Sequence, residues 1–154
     1  MRLAMVKVQL SLLLVFMLFG CGQGSNAPAE PVDLVIAAQA WNTPDRQWSE
    51  AQLLQLVEGE RLYRKRCAGC HLSTGEGQLT LGASALKNSA VAKGPVNGLI
   101  TTVLFGRGTM PAFRTSLQDA DLALVLSYVR NAWGNQQGDL IAASEVAAAR
   151  VATR

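Results

Sequence analysis

Histidine occurs once in this chain of 154 residues and cysteine only three times. A zinc site of four protein ligands would need the single imidazole and all three cysteines, and Cys21, read below as lipidated, leaves it without a fourth donor. Charged side chains are also sparse, at 16%. The formal net charge of +3 includes Arg2 and Lys7, and without them it falls to +1. So small a surplus does not support a nucleic-acid-binding surface. No stretch alternates apolar and polar residues for long enough to make a sheet, and no internal repeat is present. The apolar run Val8 to Phe19, broken only by Gln9 and Ser11, is too short to span a bilayer.

That run follows two basic residues and ends in Leu18-Phe19-Gly20-Cys21. The architecture suits an export signal. A small residue just before a cysteine at its end resembles a bacterial lipoprotein signal. In that family the peptide is cut before the cysteine, which then carries the lipid. Phe19 stands where a smaller residue is usual. The reading is a signal peptide at 1–20 with Cys21 lipidated; the alternative is a plain secretory signal, or an uncleaved anchor, with an incidental cysteine.

Residues 22–32, GQGSNAPAEPV, are small, polar and proline-bearing, and read as a tether. Segment 33–48, in which Trp41 and Trp48 flank a turn at Asn42-Thr43-Pro44-Asp45, is expected to pack on the domain that follows. The domain itself is expected at 49–134. Ser49 and Gln52 have capping-box spacing, and Leu53, Leu56 and Val57 follow at helical spacing, which predicts a helix from Glu50 to Arg66. Residues 72–95 are rich in Gly, Ser, Thr, Asn and Ala and read as loop. Leu99, Ile100, Val103 and Leu104 mark a short amphipathic helix from Val96 to Leu104. A last helix is predicted over Asp119 to Ala132, apolar at Leu122, Val125, Leu126 and Val129, with Gly134 as its stop. The Ala-rich tail within 135–154 adds a short helix at 141–152.

The chemistry concentrates in Cys67-Ala68-Gly69-Cys70-His71. Positions i, i+3 and i+4 lie on one side of a helical turn. The CxxCH pattern is a signature of c-type haem attachment, in which each thiol adds to a vinyl group and the imidazole reaches the iron. A Cys67–Cys70 disulfide would leave His71 without a role. A thioredoxin-like pair would need a βαβ context, which the sequence does not show. Met1, Met5 and Met17 all fall in the signal, so Met110 is the one methionine of the mature chain. It sits in Gly108-Thr109-Met110-Pro111-Ala112-Phe113, where fixed loop geometry suits a second axial ligand better than core filling.

These residues resemble the class I cytochromes c. The resemblance covers 49–134: a first helix ending in CxxCH, a loop, a short helix, a methionine loop and a final helix crossing the first. Gly59 and Tyr63 match the family's glycine and aromatic on the first helix, and Tyr128 its aromatic on the last. Such positions form the helix–helix contact. More narrowly, Asp45-Arg46-Gln47-Trp48-Ser49 and Tyr128 to Asn135, with the tail from Gly138-Asp139, are similar to the cytochrome domain fused to subunit II of some bacterial haem–copper oxidases. The membrane helices and copper domain of that subunit have no counterpart here. Related sequences also serve as cytochrome subunits of periplasmic dehydrogenases. The family often has a proline whose carbonyl orients the proximal histidine. Ser84 stands there in this chain, and Pro95 is the other candidate.

The resemblance implies an all-α class I cytochrome c fold around one covalent haem c. Cys67 and Cys70 would hold the haem, His71 and Met110 the iron, and there would be no catalytic residue. The implied function is single-electron transfer in a respiratory chain, to or from a terminal oxidase or dehydrogenase. The implied place is the periplasmic side of a membrane, anchored through Cys21. The basic cluster Arg61, Arg64, Lys65, Arg66 is a solvated helix face that could steer an acidic partner. The alternatives are a haem enzyme or gas sensor with an open iron, and a fixed cytochrome subunit of a dehydrogenase.

Overall fold

The computed structural model describes residues 31–152. The signal at 1–20, Cys21 and the tether before residue 31 lie outside the described residues. Among the described residues there are seven α-helices, one 3-10 turn and no strand. Isolated bridges occur at Thr43–Arg46, Gln78–Ala83 and Arg107–Met110. The fold is all-α, as the periodicity predicts. No helix among the described residues is long and apolar enough to cross a membrane.

Asp33 caps α1, Leu34–Trp41, its carboxylate accepting from the amides of Val35 and Ile36. The segment up to Trp48 packs on the domain: Ala37 and Trp48 are buried with Leu53 and Leu56. The turn between them is closed by paired backbone hydrogen bonds of Thr43 and Arg46. Helix α2, Glu50–Arg66, begins with a complete capping box, since Gln52 N–H donates to the Ser49 hydroxyl while the Gln52 amide oxygen accepts from Ser49 N–H. Glu50 at its start and Arg64, Lys65 and Arg66 at its end complement the helix dipole.

Helix α2 packs against α6, Asp119–Asn131. Gly59 sits at the crossing. A Cβ there would collide with the Leu124 carbonyl oxygen and come within 2.9 Å of Tyr128 Cβ. Only a glycine lets the two backbones approach so closely. Around this point Trp41, Tyr63, Tyr128 and Trp133 form an aromatic cluster with ring centroids 4.9 to 5.6 Å apart.

The sequence predicts one apolar face on α6, yet the helix is buried continuously from Val125 to Asn131. The cause is the tail. Residues 134–142 fold back, and α7, Ala143–Ala152, buries Val146 and Ala149 against the cluster of Leu99, Ile100, Leu104, Leu122 and Leu126. The polar residues on that covered side are paired. Ser127 Oγ donates to the Ala123 carbonyl and accepts from Ile141 N–H, and Asn131 bonds Ser127, Gly138 and Asp139.

Stretch 72–95 differs from its reading as loop. It holds the 3-10 turn Leu79–Leu81 and the four-residue helix α4, Ala90–Lys93, which Ser89 caps. One turn of helix is too short to leave a periodicity in the sequence. Helix α5 runs from Val96 to Phe105 as predicted, one residue longer.

Candidate functional site

Helix α2 stops at Cys67, and the short α3, Ala68–His71, follows at once. The Tyr63 hydroxyl donates to the Leu72 carbonyl at 2.7 Å and ties the end of α3 back to α2. Burial pushes the Tyr63 phenol far above its ordinary range, so this donor stays protonated. Gly75 lies under the Trp133 indole, where its φ of +69° and the absence of a side chain let the loop turn directly over the aromatic cluster.

Cys67 is partly buried, Cys70 is exposed, and neither is in a disulfide. Burial, followed by the neighbouring Cys70, pushes the Cys67 thiol up to about 11. The His71 Nδ1 lies 2.9 Å from the Ser84 carbonyl oxygen. Since a carbonyl only accepts, Nδ1 is the donor, and Nε2 is the ring nitrogen left for another partner. Of the two positions weighed from the sequence, it is therefore Ser84 that meets the imidazole. Pro95 instead stands at the N-terminus of α5. The loop bearing Ser84 is itself held in place: Gln78 and Ala83 are joined by two backbone hydrogen bonds, and Leu86 and Lys87 amides both donate to Gly75.

Met110 comes to the same place from the other side of the sequence. Arg107 and Met110 exchange two backbone hydrogen bonds, forming a tight loop. Phe113 and Arg114 amides then donate to the Val103 and Leu104 carbonyls and fasten the loop to α5. The Thr109 hydroxyl donates to the Leu81 carbonyl at 3.1 Å, joining the methionine loop to the 3-10 turn. The result is one open, mostly apolar cavity of about 210 Å³. Cys67, Cys70, His71 and Met110 all line it, with Arg66 and Arg107 among the polar residues beside them.

The donor set fits a covalently attached haem. Two free thiols are present for attachment, one imidazole has a nitrogen available, and a thioether lies in the same apolar cavity. No cluster of three or more His, Cys, Asp or Glu that could hold a bare metal ion occurs among the described residues.

The basic cluster is weaker than its sequence suggests. Arg61 is paired with Glu58 and Arg64 with Glu60, both at 2.6 Å. Among the described residues Lys65 and Arg66 form no ion pair. Sequence reasoning also missed the residues that hold the far wall. Arg130 donates to both carboxylate oxygens of Asp139 and to the Ala92 and Gly94 carbonyls. Asn135 donates to the Leu86 and Val129 carbonyls and accepts from Ser89 N–H. These partners lie up to 49 residues apart, so no local pattern announces them.

Fold and cavity together define a class, the small all-helical domain with a CxxCH turn and a methionine loop facing one apolar cavity. Residues 54–129 match the family described as "Cytochrome C oxidase, cbb3-type, subunit III". The chain is 38% identical over 74 residues to cytochrome c6 of Leptolyngbya boryana, covering 46% of this chain and 85% of that protein. It is 27% identical over 99 residues to the cytochrome c subunit of a quinone alcohol dehydrogenase from Gluconobacter oxydans, covering 57% of this chain and 21% of that subunit. It is 25% identical over 139 residues to the cbb3-type cytochrome c oxidase subunit CcoP of Rhodobacter capsulatus, covering 73% of this chain and 47% of that subunit. The chain belongs to the c-type cytochromes. It is an electron carrier rather than an enzyme, and its cofactor is one covalent haem c.

Proposed function

We propose that this cytochrome is a lipid-anchored, monohaem carrier of single electrons in a respiratory chain. Cys67 and Cys70 form the thioethers, and His71 and Met110 are the axial ligands. The observation that carries the reading is the cavity, which brings the only histidine and the only methionine of the described residues together with both thiols. When bound, the haem supplies one reversible electron at an iron whose potential is raised by a thioether ligand. The chain's residues do the rest. Ser84 fixes the imidazole tautomer and leaves Nε2 free to bind. The methionine loop, tied to α5 and to Leu81, offers the thioether from a rigid frame. No group is placed to move a proton, and single-electron transfer needs none.

The cavity mouth is the docking face for redox partners, a terminal oxidase or a dehydrogenase. Leu81 and Val91 line the cavity and are about half exposed, and Leu79 beside them is 90% exposed. Arg66 and Arg107 at the same mouth favour an acidic partner surface. Acylation at Cys21 would hold the domain at the periplasmic side of a membrane and raise its local concentration near such partners.

The narrower kinship with the cytochrome domain fused to oxidase subunit II is supported by the way the Gly138-Asp139 tail joins both of its signature segments. Arg46 donates to the Gly138 carbonyl at 2.8 Å, and Arg130 and Asn131 bind Asp139 and the adjoining backbone. The similarity to a dehydrogenase cytochrome subunit supports a second reading, a fixed subunit, and co-purification with a larger enzyme would favour it over a mobile carrier.

The test is the visible spectrum of the holoprotein, oxidised and reduced, with and without carbon monoxide. A low-spin spectrum indifferent to carbon monoxide, with a weak far-red band abolished in Met110→Ala, is expected. A high-spin spectrum that shifts with carbon monoxide would replace the carrier by an open-iron sensor or enzyme.

A further inference from the structure

Helix α7 lies wholly beyond residue 129, where the family match ends. Its last turn nevertheless reaches the segment that follows Met110. Arg150 Nε donates to Asp119 at 2.7 Å, and Nη2 donates to the Leu117 carbonyl at 3.1 Å. Nη1 donates to the Arg114 carbonyl. One guanidinium thus spans both ends of the connection Arg114–Leu117 and the first residue of α6. The Arg150 side chain is only 22% exposed, so its hydrogen bonds are largely shielded from water.

The connection it holds is the downstream anchor of the methionine loop. Leu117 N–H and Ser116 N–H donate to the Phe113 carbonyl, and Phe113 is three residues from Met110. Met110 and Phe113 pack against the same cluster into which α7 inserts Val146 and Ala149. Helix α7 therefore supports the loop twice, through packing and through the Arg150 fork. The other ties hold the loop to itself through Arg107 and Met110, to α5 through the Phe113 and Arg114 amides, and to Leu81 through Thr109, but none of them joins it to α6.

We propose that α7 is a brace for the methionine loop and that Arg150 is a positioning residue, acting through Arg114 and Leu117 to keep the Met110 thioether on the haem iron. The proposal rests on the reading of Met110 as axial ligand. A loosened loop would release the thioether more often and give an external ligand more access to the iron. Reduction would also become harder, because methionine ligation raises the potential.

The test uses the full-length holoprotein with Arg150→Gln, Arg150→Lys and a control, Leu53→Ala, in the distant cluster under α1. Imidazole is titrated into each ferric protein, and the far-red band, the reduction potential and denaturant unfolding are recorded. Arg150→Gln is expected to bind imidazole about fivefold more tightly, the scale of one lost hydrogen bond, with a lower potential. Arg150→Lys keeps the cation but loses the fork, so it should fall between Gln and wild type. It carries the test alone if the Gln variant does not assemble. Leu53→Ala should lose global stability without changing imidazole affinity. Equal imidazole affinity in the Arg150 variants and wild type, or an equal gain in Leu53→Ala, would overturn the brace while leaving Met110 as ligand. A wild-type spectrum with no far-red band, unchanged by Met110→Ala, would overturn the ligand reading and the brace with it.

Discussion

At Gly59 a single hydrogen atom sets the distance between α2 and α6. The Leu124 carbonyl occupies the space a methyl group would need, and it belongs to a helix backbone that cannot rotate away. Gly59→Ala should therefore cost about 1–3 kcal/mol of stability by overpacking. Thermal melting of the holoprotein checks this, and an unchanged melting temperature would refute the close approach. Asp139 works differently. The Arg130 guanidinium bound to its carboxylate holds its pKa below the ordinary 3.8. The folded value thus lies below the unfolded one, so the ionised pair stabilises the fold above the unfolded value. That contribution fades as pH falls through the folded value. Asp139→Asn is expected to melt earlier than wild type near neutral pH, with the difference shrinking as pH falls below 3.8 and through the folded value. A difference that stays constant with pH would mean that the charge of Asp139 plays no part. Gly59 was readable from the family's pattern, whereas the partnership of Arg130 and Asp139 was not. The first depends on one residue type at one helix position, the second on a return of the chain that no periodicity encodes.

At the scale of elements, the capped and strongly periodic helices were legible. Helix α2 carries its own capping box and complementary terminal charges, so local chemistry alone specifies its ends. Helix α6 was legible as a helix but not as a buried one. Its Ser127, Arg130 and Asn131 look like a solvent face until the tail covers them. The alanine-rich tail was legible as a short helix but not as part of the core, yet Val146 is fully buried among residues of α5 and α6. Val146→Ala is expected to lower unfolding stability by about 1–3 kcal/mol, as for other apolar truncations in a packed core. Chemical denaturation measures it, and a loss below a few tenths of a kcal/mol would mark the tail as an appendage.

For the whole molecule, function depends on where the domain is held and on which face it presents. Membrane attachment through Cys21 predicts that Cys21→Ser moves the cytochrome from the membrane fraction into the soluble periplasmic extract without altering its visible spectrum. Fractionation of cells expressing each form checks this. A variant that stays with the membrane would point to an uncleaved anchor or a tightly bound partner. The basic cluster on α2 carries less free charge than the run Arg61 to Arg66 suggests. Two of its arginines are neutralised by glutamates three and four positions away, and exposed pairs of that kind contribute little.

By itself the sequence determined the chemistry: two thiols and an imidazole within five residues, one methionine beyond the N-terminal apolar run, and helices with their caps. These are properties of residue identity and short spacing, and they hold whatever the rest of the chain does. Only the tertiary structure decided which carbonyl orients His71, and that Met110, thirty-nine residues after it along the chain, lines the same cavity. It also decided that the last helix belongs to the core. Those outcomes arise from contacts between segments far apart in the chain, whose geometry is set by packing rather than by any local pattern.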